Sequence, residues 1–160
     1  MQSRGFTLLE MMCVLAVLGI LLAAGVPAYA NLLERQRMHA AADALMQDLR
    51  HARELAVQSQ QPVHLRFARQ DQKTWCWGVS RGQPCDCSGA GALPACNVSR
   101  TDSASFGPVL LSSAQDASFD PRLGSALQSG STVFATRDGQ RQPVALSATG
   151  RATMKEEGTR

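Results

Sequence analysis

Met11 to Ala30 carry no formal charge, a run as long as the about 20 residues a helix needs to cross the hydrocarbon core of a bilayer. Directly before it stand Arg4-Gly5-Phe6-Thr7-Leu8-Leu9-Glu10. Glu10 therefore falls just inside the expected membrane end. An ionised side chain at that depth costs roughly 3 kcal/mol or more unless it is paired, which makes it a functional residue by default. The partner expected for it is a positive charge from another chain. The rest of the sequence must supply a separate folded part outside the bilayer.

A short basic leader, a glycine, then Phe-Thr-Leu-Leu-Glu and an apolar helix resemble the amino-terminal signal of type IV prepilins and pseudopilins. In that family a membrane-embedded prepilin peptidase cuts after the glycine and methylates the new amino terminus. The resemblance implies that residues 1–5 are a leader, that cleavage falls between Gly5 and Phe6, and that Phe6 becomes N-methylated. Glu10 would then be the fifth mature residue, in a membrane-spanning helix expected over 6–30. A neighbouring subunit's Glu10 can neutralise the new α-amino cation as helices pack in register, so Glu10 is expected to direct assembly with other minor and major pilins or pseudopilins. A secretory signal peptide cleaved near Ala28-Tyr29-Ala30 is the first alternative, but an apolar region of about 7–15 residues has no reason to open on Glu10. A plain membrane anchor satisfies the length and leaves Gly5 and Glu10 without a role.

With 160 residues, 44% of them hydrophobic and 18% charged, the chain has room for one anchor and one modest domain. Beyond the apolar run, Met38, Ala42, Leu45, Leu49, Ala52 and Ala56 recur at alternating four- and three-residue steps, an amphipathic stripe that predicts a continuing helix over 31–61. Arg37, Asp43, Asp48, Arg50, Arg53 and Glu54 are expected on its polar side. Pro62 sets the stop, because it disfavours helical geometry at the residue before it. Pro27 lies inside the pattern and predicts a bend or a locally loosened turn, since its ring removes one backbone hydrogen bond. In pilins the matching proline lies where the helix bends.

After Pro62 the period changes to two. Val63, Leu65 and Phe67 alternate with His64, Arg66 and Ala68, and Trp75-Cys76-Trp77 repeats the pattern. Further strands are predicted at 109–112, 117–119, 132–135 and 144–148, separated by Asp120-Pro121, Asp138-Gly139 and other turn signals. The fold expected is α+β: one long helix laid on a mostly antiparallel sheet, within a β-rich domain over 62–160. The stretch 81–107 is rich in Gly, Ser, Ala, Pro and Cys and reads as a loop insertion.

Five cysteines are present. Cys13 falls in the apolar run and reads as an inert small side chain, leaving Cys76, Cys85, Cys87 and Cys96. In an oxidising compartment two disulfides are the economical use of these four. A Cys85–Cys87 bond would close a very tight ring, so these two are expected to take separate partners in Cys76 and Cys96. Zinc is the alternative, but Cys-x8-Cys-x-Cys-x8-Cys lacks paired C-x2-4-C knuckles. No metal and no cofactor are expected.

Phe119-Asp120-Pro121-Arg122-Leu123-Gly124, with one residue more before its glycine, and Ser147-Ala148-Thr149-Gly150-Arg151 resemble the F-x-P-x-G and terminal S-x-x-G-R patterns of the GspH/FimT branch, and Trp77-Gly78-Val79 resembles its tryptophan–glycine strand. Members of that branch are minor subunits that help to initiate or cap a type IV pilus or a type II secretion pseudopilus. They are stored as single-pass proteins in the bacterial inner membrane, with the carboxy-terminal domain in the periplasm, before reaching the filament tip. Some bind double-stranded DNA during natural transformation through a terminal G-R-x-R motif. Here Gly150-Arg151-Ala152-Thr153 keeps the first arginine and has Thr153 in place of the second. Arg137, Arg141, Arg151 and Lys155 are the basic residues through which DNA would be bound. A net charge of +3 is by itself too small to argue for nucleic acid. His39, His51 and His64 stand without a nucleophile or carboxylate pattern around them, so no enzymatic activity is expected.

Overall fold

The structure, a computed structural model, describes residues 8–155, with the side chains of 24–28 excepted. Gly5, Phe6 and the side chain of Pro27 thus lie outside the described residues. One helix, α1, spans Leu8–Ser59. The chain divides within it into two units, Met1–Glu34 and Arg35–Arg160.

In the first unit the described helical side chains up to Leu32 are exposed. In the second, Met38, Ala41, Ala42, Leu45, Leu49, Ala52 and Ala56 are all buried, as the stripe of alternating steps requires. The helix ends at Ser59, and Gln60 follows with φ 52, a left-handed residue that closes the helix before Pro62 takes the chain into extended geometry.

Eight strands follow: β1 Val63–Arg69, β2 Trp75–Arg81, β3 Ser99–Asp102, β4 Leu110–Ser113, β5 Ala117–Phe119, β6 Gly130–Ala135, β7 Arg141–Leu146 and β8 Ala152–Met154. They form two four-stranded sheets of order β3-β2-β1-β5 and β4-β6-β7-β8, and every strand pair in them is antiparallel. The expected α+β fold, a long helix with a mostly antiparallel β-sheet domain, is what forms, with the strands divided between two sheets rather than joined in one. The stretch 81–107 is not wholly a loop either, because it contains β3 and a 3-10 turn at Ser103–Phe106. Ser99-Arg100-Thr101-Asp102 has no apolar alternation, and its pairing comes from the backbone of β2 at the sheet edge.

Trp75 and Trp77, two apart on β2, share a face. Their rings stack at 5.5 Å and both meet Phe134 of β6, at 5.5 and 6.0 Å. These contacts join the two sheets through rings that each bury a large apolar area. The indole of Trp75 donates to the Val109 carbonyl at 3.1 Å, and that of Trp77 to the Asp48 carboxylate at 2.6 Å. Asp48 also accepts from the Ser99 hydroxyl at 3.3 Å. It is half-buried rather than on the solvated side of the helix. A buried indole needs an acceptor, and this carboxylate is what the helix offers.

Pro143 occupies β7, a strand paired on both sides. It accepts the Lys155 N–H at 3.1 Å but has no N–H to return. The Gln142 side-chain amide donates to the Lys155 carbonyl at 3.2 Å instead.

Candidate functional site

Glu10 lies in the first turn of α1 and is exposed, next to Leu8 and Leu9 and about three turns before Ile20, which are 79%, 73% and 71% exposed. Among the described residues no helix is long and apolar enough to cross a membrane. The span expected over 6–30 includes residues beyond that description. What is on view is a run of exposed large apolar side chains, from Leu8 to Leu22, of a size that marks an interaction surface.

On the folded unit, β2 carries a second feature on the face opposite its tryptophans. Cys76 is bonded to Cys87 and Cys85 to Cys96. The two bonds interlace along the chain and draw the segment between β2 and β3 over the sheet. Gly78 is what makes this possible: a Cβ there would lie 2.1 Å from the Cys96 sulfur. The disulfide thus occupies the volume that a side chain of β2 would need. All residues from Trp75 to Ser80 are buried in consequence. Asp86 organises the tip of the segment, accepting from the Ser88 and Gly91 amides at 2.9 and 2.6 Å.

The third feature joins two separated motifs. In Asp120–Gly124 the Asp120 carboxylate accepts the amides of Arg122 and Leu123 at 2.9 and 3.0 Å, and the Gly124 amide returns to the Asp120 carbonyl. In Ser147–Arg151 the Ser147 hydroxyl accepts the Arg151 amide at 3.1 Å. The two turns meet at their glycines: both have positive φ, 62 at Gly124 and 78 at Gly150, and a Cβ on Gly150 would lie 2.1 Å from the Gly124 carbonyl oxygen. Arg53 of α1 lies against both. The glycines are therefore required twice, for backbone geometry and for close approach.

This clasp borders a groove of about 520 Å³ lined by Arg50, Arg53, Glu54, Val57, Gln58, Leu123, Gly150, Arg151 and Ala152. Leu123 is 77% exposed at its edge. Arg151 therefore joins two arginines from the helix. Arg137 and Arg141 lie at the other end of β7, and Lys155 follows β8 beside Pro143. The six-residue step from Arg141 to the turn at 147 separates Arg151 from Arg141 by about 20 Å along the strand, and Lys155 lies four residues on from Arg151, about 13 Å along β8. The four basic residues singled out in the sequence do not form one patch. Arg50 and Arg53 are three apart on a helix and share a face, a signal that names them as neighbours but not that Arg151 would join them.

His39 and His51 are exposed on α1, and His64 shares a 2.8 Å hydrogen bond with the Ser118 hydroxyl. Among the described residues no group of three or more His, Cys, Asp or Glu is placed to hold a metal.

The profile of the family described as type II transport protein GspH matches residues 41–150, and that of the prokaryotic N-terminal methylation motif matches residues 1–26. No curated protein matches the sequence. Two crystal structures of the type IV minor pilin FimU of Pseudomonas aeruginosa (strain PAO1) are similar in fold. The P65 form has a TM-score of 0.53 at 18% identity, over 73% of this chain and 91% of that one. The P21 form has 0.55 at 19% identity, over 78% and 92%.

The amides of Leu123 and then Arg122 hold the Asp120 carboxyl below the ordinary aspartate value of 3.8, and backbone amides do the same for Asp71 and Asp86. A depressed folded-state pKa stabilises above the unfolded value, and the contribution is lost as pH falls through the folded one. Thermal melting of the detergent-solubilised chain is therefore expected to weaken from about pH 5 to about pH 3, and Asp120→Asn to weaken less over that interval. Equal slopes for the two proteins would contradict the role given to this carboxylate.

Proposed function

The chain belongs to the GspH family of type II transport proteins, whose profile covers residues 41–150 of its 160, and on that premise we propose that it is a minor pilin-like or pseudopilin subunit that helps to initiate or cap a filament. The amino-terminal methylation motif supports prepilin peptidase cleavage between Gly5 and Phe6 and N-methylation of Phe6. The unit Met1–Glu34 anchors the subunit in the inner membrane and later packs among the helices of neighbouring pilins or pseudopilins. The domain from Arg35 onward faces the periplasm and then the tip of a type IV pilus or a type II secretion pseudopilus. Its role is structural rather than catalytic, in keeping with family membership.

The observation that carries this reading is the exposed apolar length of α1 with a single carboxylate, Glu10, in its first turn. In water such a surface is unfavourable. In a bilayer, or among like helices, it is covered, and the carboxylate then requires a cation. Glu10→Ala is expected to leave cleavage intact and to lower recovery in sheared filaments about tenfold or more, the scale of a missing partner in a buried ion pair. Filament recovery equal to the parent would sink the assignment.

A second reading, double-stranded DNA capture for natural transformation, is favoured by Arg50, Arg53 and Arg151 lining one groove. Glu54 and Thr153 stand against it, the first by its charge and the second as the departure from G-R-x-R. If the groove takes DNA, the solubilised chain retards duplex DNA in a salt-dependent way, and Arg151→Gln reduces the log–log salt slope by about 1. Absence of any retardation at low salt would remove this reading and leave the filament role untouched.

A further inference from the structure

Four cysteines of the folded unit form two bonds, Cys76–Cys87 and Cys85–Cys96. In chain order these pair the first with the third and the second with the fourth, so neither bond joins neighbours in the sequence of cysteines. The competing pairing, Cys76–Cys85 with Cys87–Cys96, closes loops of 9 residues instead of 11. Loop closure follows length to about the three-halves power, so each shorter loop closes about 1.4 times as readily. Chain entropy thus favours the wrong pairing slightly. The right one is selected only by the folded sheet, where β3 pairs with β2 and the Cys96 sulfur takes the place of a side chain over Gly78.

A chain oxidised before that sheet forms is caught. With both wrong bonds made, no thiol remains among these four cysteines. The fifth, Cys13, belongs to the other unit, on the apolar length of α1. Disulfides exchange only by attack of a thiolate on a disulfide sulfur. In the finished fold Cys76, Cys85 and Cys87 are also buried, at 6%, 2% and 3% exposure, so correction has to come before the domain closes.

We propose that this protein is a substrate of a thiol–disulfide isomerase, whose thiolate supplies the nucleophile that the oxidised domain lacks. The inference rests on the periplasmic placement proposed above. The isomerase thiolate attacks Cys85 of a Cys76–Cys85 bond, forming a mixed disulfide and releasing the Cys76 thiolate. Cys76 attacks Cys87 of the Cys87–Cys96 bond, which forms Cys76–Cys87 and releases the Cys96 thiolate. Cys96 then attacks Cys85 in the mixed disulfide, forming Cys85–Cys96 and returning the isomerase thiolate. Two bonds break and two form, with no net oxidation and no oxidant consumed.

The test expresses the full chain in a bacterial host with and without its periplasmic disulfide isomerase, and reads the pairing by mass spectrometry of peptides cleaved without reduction. Without the isomerase, Cys76–Cys85 and Cys87–Cys96 peptides are expected in about half of the oxidised chain, and the natively paired fraction falls about twofold or more. A small thiol added to the growth medium of the deficient host separates the two sources of thiolate: restoration by the small thiol at micromolar levels would overturn the requirement for a protein isomerase. The double variant Cys85→Ser/Cys96→Ser leaves one pairing, and its Cys76–Cys87 bond is expected to form equally in both hosts. Native pairing at parental level in the deficient host would overturn the proposal. Four free thiols in both hosts would overturn the periplasmic placement itself, and this inference with it.

Discussion

The folded unit depends on β2 being buried on both faces. One face presents Trp75 and Trp77 to the helix and to the second sheet; the other presents Cys76 and Gly78 to the interlaced disulfides. A strand covered on one side could be contributed by many sequences. Covering both requires large aromatic residues to alternate with residues small enough for a disulfide to lie flat on the backbone, and Trp-Cys-Trp-Gly supplies that alternation in four positions. In the chain-entropy account each 11-residue disulfide loop adds about 3 kcal/mol by restricting the unfolded chain, a large share of a small domain's stability. Asp48 links this strand to the helix through the Trp77 indole, where loss of the acceptor would cost about 1–3 kcal/mol.

The same economy holds at the clasp. Gly124 and Gly150 belong to motifs 26 residues apart, yet Gly150 is needed because the Gly124 carbonyl approaches it so closely, and Gly124 because its backbone is left-handed and Arg53 and Val57 of the helix press on it. Their meeting places the turn at 147–151 against the helix and puts Arg151 beside Arg50 and Arg53. A motif shared across a family can thus record a packing constraint and, at the same time, aim a charged residue. The exposed Leu123 and Val57 give this groove an apolar border as well as a cationic lining.

Much of this is legible in the sequence. The stripe from Met38 to Ala56 named the buried helix face, because a helix shows its packing in a fixed period. Alternation located β1, β2, β5 and β6 closely, and the tight-ring argument at Cys85 and Cys87 excluded one pairing of three. β3 was hidden because Ser-Arg-Thr-Asp is polar throughout and pairs as an edge strand by backbone alone. β7 begins earlier than its apolar residues suggest because Gln142 compensates Pro143, a tertiary contact that local pattern does not contain. The groove was hidden for the same reason: Arg53 and Arg151 are nearly a hundred residues apart, and only the two glycines bring them together.

The central claim is that this is a processed filament subunit whose amino terminus is made, not merely inherited, and whose helix carries one carboxylate to meet such a terminus. Intact-mass measurement of the protein isolated from its native membranes addresses that claim directly. The account predicts a chain that has lost Met1 to Gly5 and carries a single added methyl group on the nitrogen of Phe6, with four fewer hydrogens for the two disulfides. A mass for the full 160-residue chain, or for a chain beginning after Ala30, would contradict it.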